Sequence, residues 1–326
     1  MTGIIRNSLV KVRTKALSSL ISKLDKLDAK ITDLQDANGA IKAELQAYKN
    51  GPYSTISISD KEIVTKIFNG LKMYLDPTDI AVAPHLALDG IWEEAITRAW
   101  LSVQKPQAVI FDIGANFGYY GALAAQVINR KTSKVILFEA NPHLLPYIRK
   151  TLSINWLNEA CVVENLGVSD VAGEAKLTIL KDYIGCSSLH SIDHLDKYLH
   201  EKMHLEAEET ITVETISIDE YCKNNAITQI DLMKLDIEGY EQKAYEGMKH
   251  MIEESPKLTL FVEFTKESYD NPKAFYERML TDFQNLYMID QAGNIIRPKN
   301  VSYQKVVGSV EDWVMLIFSK QSLEIK

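Results

Sequence analysis

Five runs of apolar, β-rich residues recur from residue 108 onward, and most lead into a stretch patterned like a helix. "AVIFDI" (108–113) precedes a predicted helix over 119–129, and "KVILFEA" (134–140) precedes one reaching about 155. "ACVVENL" (160–166) is followed by a long polar insertion. "IDLMKLDIEG" (230–239) leads to a helix ending near 251, and "KLTLFVEF" (257–264) to another. Continuous apolar strands separated by helices predict a parallel sheet covered on both faces, an α/β fold. "LYMID" and "DWVMLIF", parted by a turn at "QAGN", read as a terminal antiparallel pair.

In such sheets ligands lie beyond the carboxyl ends of the strands. Residues 112–118 and 236–239, with Glu139, Asn165 and Glu263, should therefore share one rim. The turn "DIGANFG" is built of small residues: Gly114, Ala115 and Gly118 leave room for something to approach the backbone. Its D-x-G-x-x-x-G spacing differs from the G-x-G-x-x-G that cradles a pyrophosphate. A carboxylate at Asp112 would repel phosphate and suits an ammonium group. Glu139, ending the second strand, suits a ribose diol. A cationic amine joined to a ribose describes S-adenosyl-L-methionine better than NAD. The competing reading is a tight strand–helix turn with no ligand.

"VIFDIGANFGYYGALAA", "VILFEANP", "CSSL", "TISIDEYC", "IDLMKLDIEGYEQKAYEGM" and "LTLFVEF" resemble, in order and spacing, the FkbM family of S-adenosylmethionine-dependent methyltransferases. The resemblance spans about residues 90–318. It implies a class I, Rossmann-like methyltransferase with a seven-stranded, mostly parallel sheet, and O-methylation of a hydroxyl on a sugar, glycan, glycolipid or polyketide. On the family pattern Asp112, Gly114, Asn116 and Gly118 hold the methionine part and Glu139 the ribose. Trp92 and Glu93 match an aromatic–Glu element near the cofactor.

Methyl transfer to an alcohol needs the acceptor oxygen aligned and its proton taken. Asp236 and Glu238 end the fourth strand, and Glu263 ends the fifth; Asp236 is the first choice of base. Glu238 could instead cap the helix that follows Gly239, and Lys234 could pair with either carboxylate. The same carboxylates could hold Mg²⁺, which takes oxygen ligands. The insertion at about 181–210 reads as a solvated cap over the substrate mouth. It carries His190, His194, His200 and His204, whose spacings of four offer a zinc geometry that no cysteine completes. "GCSSLH" matches the family's Ser-Ser-Leu, and the resemblance implies that Ser188 and His190 lie near the acceptor, with His190 the alternative base.

Three domains are expected: residues 1–50, a helical lead-in over 51–107, and the methyltransferase body over 108–320. From Leu17 to Tyr48 apolar residues follow a heptad spacing interrupted by Asn38, which predicts a parallel coiled coil and a homodimer; the competing reading is an amphipathic helix lying on its own globular body. Residues 1–24 hold five cations and no acid, so the net charge of −8 leaves −13 for the rest. That basic start could be a transit peptide, a membrane-surface helix or the opening of the coiled coil. A body so acidic is a poor nucleic-acid binder. Three cysteines without paired spacing and no long apolar segment fit a cytoplasmic protein. Two other classes stay open: an enzyme of secondary metabolism, and a non-catalytic scaffold.

Overall fold

The computed structural model describes residues 54–180, 182–189 and 207–323. The heptad segment and all four histidines of the insertion, His190 included, lie outside the described residues.

The body opens with three antiparallel strands, β1 (Thr55–Ser59), β2 (Glu62–Lys66) and β3 (Lys72–Leu75), followed by helices α1 (Val82–Leu88) and α2 (Glu94–Val103). The lead-in expected to be helical is thus half sheet. Its strands are short and β-branched, "TISIS" and "EIVTK", the composition a pleated surface favours.

From there strand and helix alternate as the sequence predicts: β4 (Val109–Ile113), α3 (Tyr119–Val127), β5 (Lys134–Phe138), α4 (Leu145–Ile154) and β6 (Cys161–Glu164). The stretch beyond β6 is not a loose cap. β7 (Gly167–Val168), β8 (Gly173–Leu180), β9 (Tyr183–Ser188) and β10 (Ala207–Ile216) form a second sheet, in the order β7-β10-β8-β9. The described ends of the expected cap are strands of this sheet. Polar and β-branched apolar residues alternate along "TITVE", which is why this polar segment pairs rather than coils.

The chain then runs through α5 (Ile218–Asn224), β11 (Leu232–Leu235), α6 (Glu241–Glu246), α7 (Lys249–Glu254), β12 (Thr259–Phe264) and α8 (Pro272–Phe283). It closes with β13 (Asn285–Ile289), β14 (Ile295–Ile296), α9 (Tyr303–Val306) and β15 (Val314–Ser319). The main sheet has the order β14-β13-β15-β12-β11-β4-β5-β6. β6, β5, β4, β11 and β12 are parallel, whereas β15 runs against both β12 and β13. The terminal pair is antiparallel as expected. The "QAGN" turn, however, leads first into the two-residue β14, which adds an eighth strand at the edge.

Each face of the sheet carries its own core. Ile110, Leu232 and Phe261 pack with Trp100, Leu123 and Ile148 on one side. Phe111, Met233 and Leu260 pack with Tyr221, Met251 and Tyr276 on the other. Side chains alternate along a strand. Asp112, Lys234 and Glu263, each two residues beyond Ile110, Leu232 and Phe261, therefore fall on the first face, at the carboxyl ends of three adjacent strands.

Candidate active site

Strand register sets the site. Lys234 pairs with Asp112, and Leu235 with both Ile113 and Val262, so Asp236 and Glu263 leave their strands side by side. Ile113 pairs with Phe138, and Phe138 with Glu164, which brings Gly114, Glu139 and Asn165 to the same rim. The expected convergence is present.

At its centre is a charged cluster under the first turns of α2 and α3. Lys234 is 3% exposed, ion-paired to Asp236, with its ammonium 4.5 Å from the centre of the Tyr120 ring. The Tyr120 hydroxyl donates to Glu93 Oε2 at 2.8 Å. Burial would strip the lysine of its proton, but Asp236, Glu93 and Asp112 hold the ammonium above its ordinary range. Asp112 is buried; the Gly121 amide lies close to the carboxylate, but neither oxygen makes a hydrogen bond of ordinary geometry to a described residue. Burial pushes its carboxyl up to about 6 against the pull of Lys234. Glu93 is likewise pushed up by burial, with Lys234 opposing and Asp236 adding to the rise. One lysine thus faces Glu93, Asp112, Asp236 and Glu263, a surplus of negative charge that an incoming cation would relieve.

The turn after β4 is held by the protein itself. Gly114 and Ala115 both donate to Phe138 O at 3.0 Å. A Cβ on Gly114, at φ +82°, would sit 1.8 Å from the Asp236 carbonyl oxygen. The glycine thus permits a close approach of the neighbouring chain segment, a packing role that the sequence reading did not include. Glu139 accepts from Asn116 N at 2.7 Å and from Asn141 N at 2.8 Å, one on each oxygen. Burial pushes it up to about 7 despite those amides. Asn116 Oδ1 is buried without a partner among the described residues. Asn165, expected to line the ligand, donates from Nδ2 to Glu139 O and Ala140 O and clasps the chain leaving β5.

Beyond β11, the Glu238 carbonyl accepts from Ser188 Oγ at 2.9 Å. The amides of the turn ahead of this helix are taken by Glu241: its Oε1 accepts from Ile237 N and Gly239 N, its Oε2 from Tyr269 hydroxyl. Burial raises Glu241 to about 7. Sequence reasoning missed Glu241 and Tyr120. Each stood just past a recognised motif, in "DIEGYE" and "ANFGYY", and could have been found by asking what satisfies the turn amides. The Glu263 carboxylate receives no hydrogen bond from a described residue. Burial, then Asp236, Glu238 and Glu241, push it well above the ordinary glutamate range. Asp236, Glu241 and Glu263 bring one oxygen each within 4.8 Å of one another. Glu241 and Asp236 are already engaged, by amides and hydroxyl and by Lys234 respectively. Seven non-glycine described residues have positive φ, and Glu93, Asn116 and Glu238 are three of them, so backbone strain gathers at this rim.

The strand order, the reversed β15 and the carboxylate rim together define a class I, Rossmann-like methyltransferase. Residues 112–295, more than half of the chain, match the methyltransferase FkbM domain. The chain belongs to the FkbM methyltransferase family. It is similar to a hexuronic acid methyltransferase of Haloferax volcanii, 22% identical over 161 residues. That match covers 49% of this chain and 58% of the relative, less than two thirds of its length. Among solved structures, a methyltransferase FkbM from Methylobacillus flagellatus aligns at 14% identity and TM-score 0.39, over 66% of this chain and 44% of its own. A tRNA (uracil-54, C5)-methyltransferase of Pyrococcus abyssi, in complex with S-adenosyl-L-homocysteine, aligns at 11% identity and TM-score 0.39, over 79% and 44%. The fold assignment rests on the strand order of this chain itself.

Proposed function

We propose that this protein is an S-adenosyl-L-methionine-dependent O-methyltransferase acting on a hydroxyl of a sugar, glycan or glycolipid. The observation that carries the reading is the unpartnered, buried Asp112 carboxylate in a cluster with surplus negative charge. Left alone, such a group costs stability. A ligand ammonium would satisfy it, and Asn116 Oδ1, next to Gly185, is a second buried acceptor without a described partner. Asp112, Asn116 and Glu93 would hold the amino-acid end, and Glu139, whose oxygens keep further lone pairs, the ribose. The cofactor supplies an electrophilic methyl group on a sulfonium.

The chain supplies the rest. Lys234 already occupies Asp236 in an ion pair, so the order of the sequence reading is reversed here: Glu263 takes the hydroxyl proton and Asp236 orients the acceptor. A carboxylate whose hold on a proton is strengthened by burial and like charges is better matched to that task than one held by a lysine. Glu238 and Ser188 border the acceptor side, and His190 keeps its candidacy as a helper. The sugar class is supported by the Haloferax relative, a hexuronic acid methyltransferase. The heptads of residues 17–48 are proposed to pair two chains in parallel, which would raise residence on a repeating acceptor.

Incubation with methyl-labelled S-adenosylmethionine and a panel of uronic and neutral glycans tests this. An alkali-stable methyl ether on a glycan is expected. A base-labile methyl ester, or label only on a non-sugar acceptor, would overturn the hydroxyl or the sugar reading respectively.

A further inference from the structure

Trp156 is the residue that the fold explains least. It follows α4 by two positions, where the Trp156 and Leu157 amides donate to Ser153 and Leu152 carbonyls and close the helix. The geometry puts Trp156 at φ +58°, a left-handed position that glycine usually takes. For so bulky a side chain that is a genuine outlier. Its indole is also 82% exposed, more than any other large apolar residue described, and no other described ring lies against it. The closing hydrogen bonds hold the backbone in that turn, but they leave the side chain exposed.

The surroundings are basic in a chain whose net charge is −8. Arg130 Nη1 donates to Trp156 O at 2.7 Å, and Lys131 stands exposed beside it. Lys134 Nζ donates to Glu159 O at 2.5 Å, and the Lys72 backbone is hydrogen-bonded to the Asn155 side chain. None of the four cations is ion-paired to a described carboxylate; Glu159 is the acid on this loop. The patch lies at the amino ends of β5 and β6, opposite the rim at their carboxyl ends, so it does not belong to the site above.

We propose that this corner docks the protein on an anionic lipid surface, with Trp156 in the headgroup layer and Arg130, Lys131, Lys134 and Lys72 over the phosphates. A protruding indole ringed by solvated cations matches a membrane interface, where amphipathic rings settle at headgroup depth and each basic residue adds attraction. A glycan platform would want a concave site with rings set to stack, and here one ring stands alone. Docking of this kind needs no spanning segment, and no helix among the described residues is long and apolar enough to cross a membrane.

Flotation of the full chain with mixed phosphatidylcholine–phosphatidylglycerol vesicles tests the proposal, with pure phosphatidylcholine as the neutral control. Binding is expected on the anionic vesicles only, weakening as salt is raised. Arg130→Glu and Lys131→Glu should each lower partitioning by about fivefold. Trp156→Gly should lower it by about tenfold, with a melting temperature no lower than that of the parent because glycine adopts the left-handed turn freely. Binding by all variants equal to the parent's, carried then by the basic N terminus, would overturn the proposal. So would absence of binding to anionic vesicles, retention on an anionic polysaccharide in its place, or a steep loss of stability in Trp156→Gly.

Discussion

Replacing Gly114 with alanine should damage the fold far more than any ligand argument would suggest. The new Cβ would lie 1.8 Å from the Asp236 carbonyl oxygen, whereas real Cβ contacts are essentially never under 3.0 Å. The end of β11 must therefore retreat by more than 1 Å, although Asp236 N is tied to Ile113 O at 3.1 Å. Left-handed strain costs about 1 kcal/mol, overpacking about 3 and a weakened buried hydrogen bond about 1. The total of about 5 kcal/mol is a large share of what holds a domain together. Gly70 supplies the control: at φ +88° it has no atom within 4 Å of a built Cβ, so Gly70→Ala isolates the strain of about 1 kcal/mol. Urea unfolding of the two variants reads the difference. If Gly114→Ala unfolds at the same urea concentration as Gly70→Ala, the close packing of β4 on the Asp236 peptide is wrong.

Glu263→Gln should reduce methyl transfer by about 10²–10⁴-fold with cofactor affinity little changed, and Asp236→Asn should cost less; the reverse order returns the base role to Asp236. Transfer should rise with pH as the raised Glu263 carboxyl ionises, and Glu238→Gln, removing a like charge beside it, should move that limb to lower pH. The cofactor-free protein should lose stability from pH 5 to 8. Asp112 at about 6, Glu139 at about 7 and Glu241 at about 7 sit above their ordinary values, so their contribution is full near pH 4 and lost as pH climbs through 6 to 7. A melting temperature that climbs over that range contradicts this. Chelator should leave transfer intact, since Asp236 and Glu241 are already held by the protein; strict Mg²⁺ dependence would make them ligands instead.

The parallel core was legible because its strands are unbroken apolar runs, buried on both faces, with strong punctuation between them. The segment over 51–107 was harder: "TISIS" and "EIVTK" are too short and too polar to outweigh the helical pattern of the residues after them. The second sheet hid in a polar stretch whose alternation is visible only once two distant segments are paired. Asp112, Glu139, Asp236 and Glu263 could be placed on one rim because strand ends converge by topology. What the sequence could not weigh was competition among neighbours: that Lys234 would choose Asp236, that Asn165 would serve the backbone, and that Glu241 would take the turn amides from Glu238. Those outcomes depend on distances of a few ångströms between residues far apart in the chain.

Titration calorimetry of S-adenosyl-L-methionine against the protein and its Asp112→Asn variant addresses the central claim. The account predicts binding by the parent. It also predicts about 10- to 100-fold weaker binding by the variant, the loss of one charge-assisted contact. The variant's own melting temperature should hold or rise, because a buried unpartnered carboxylate is gone. Equal affinity in the two proteins, with both folded, would contradict the assignment of Asp112 to the cofactor and with it the observation on which the proposed activity rests.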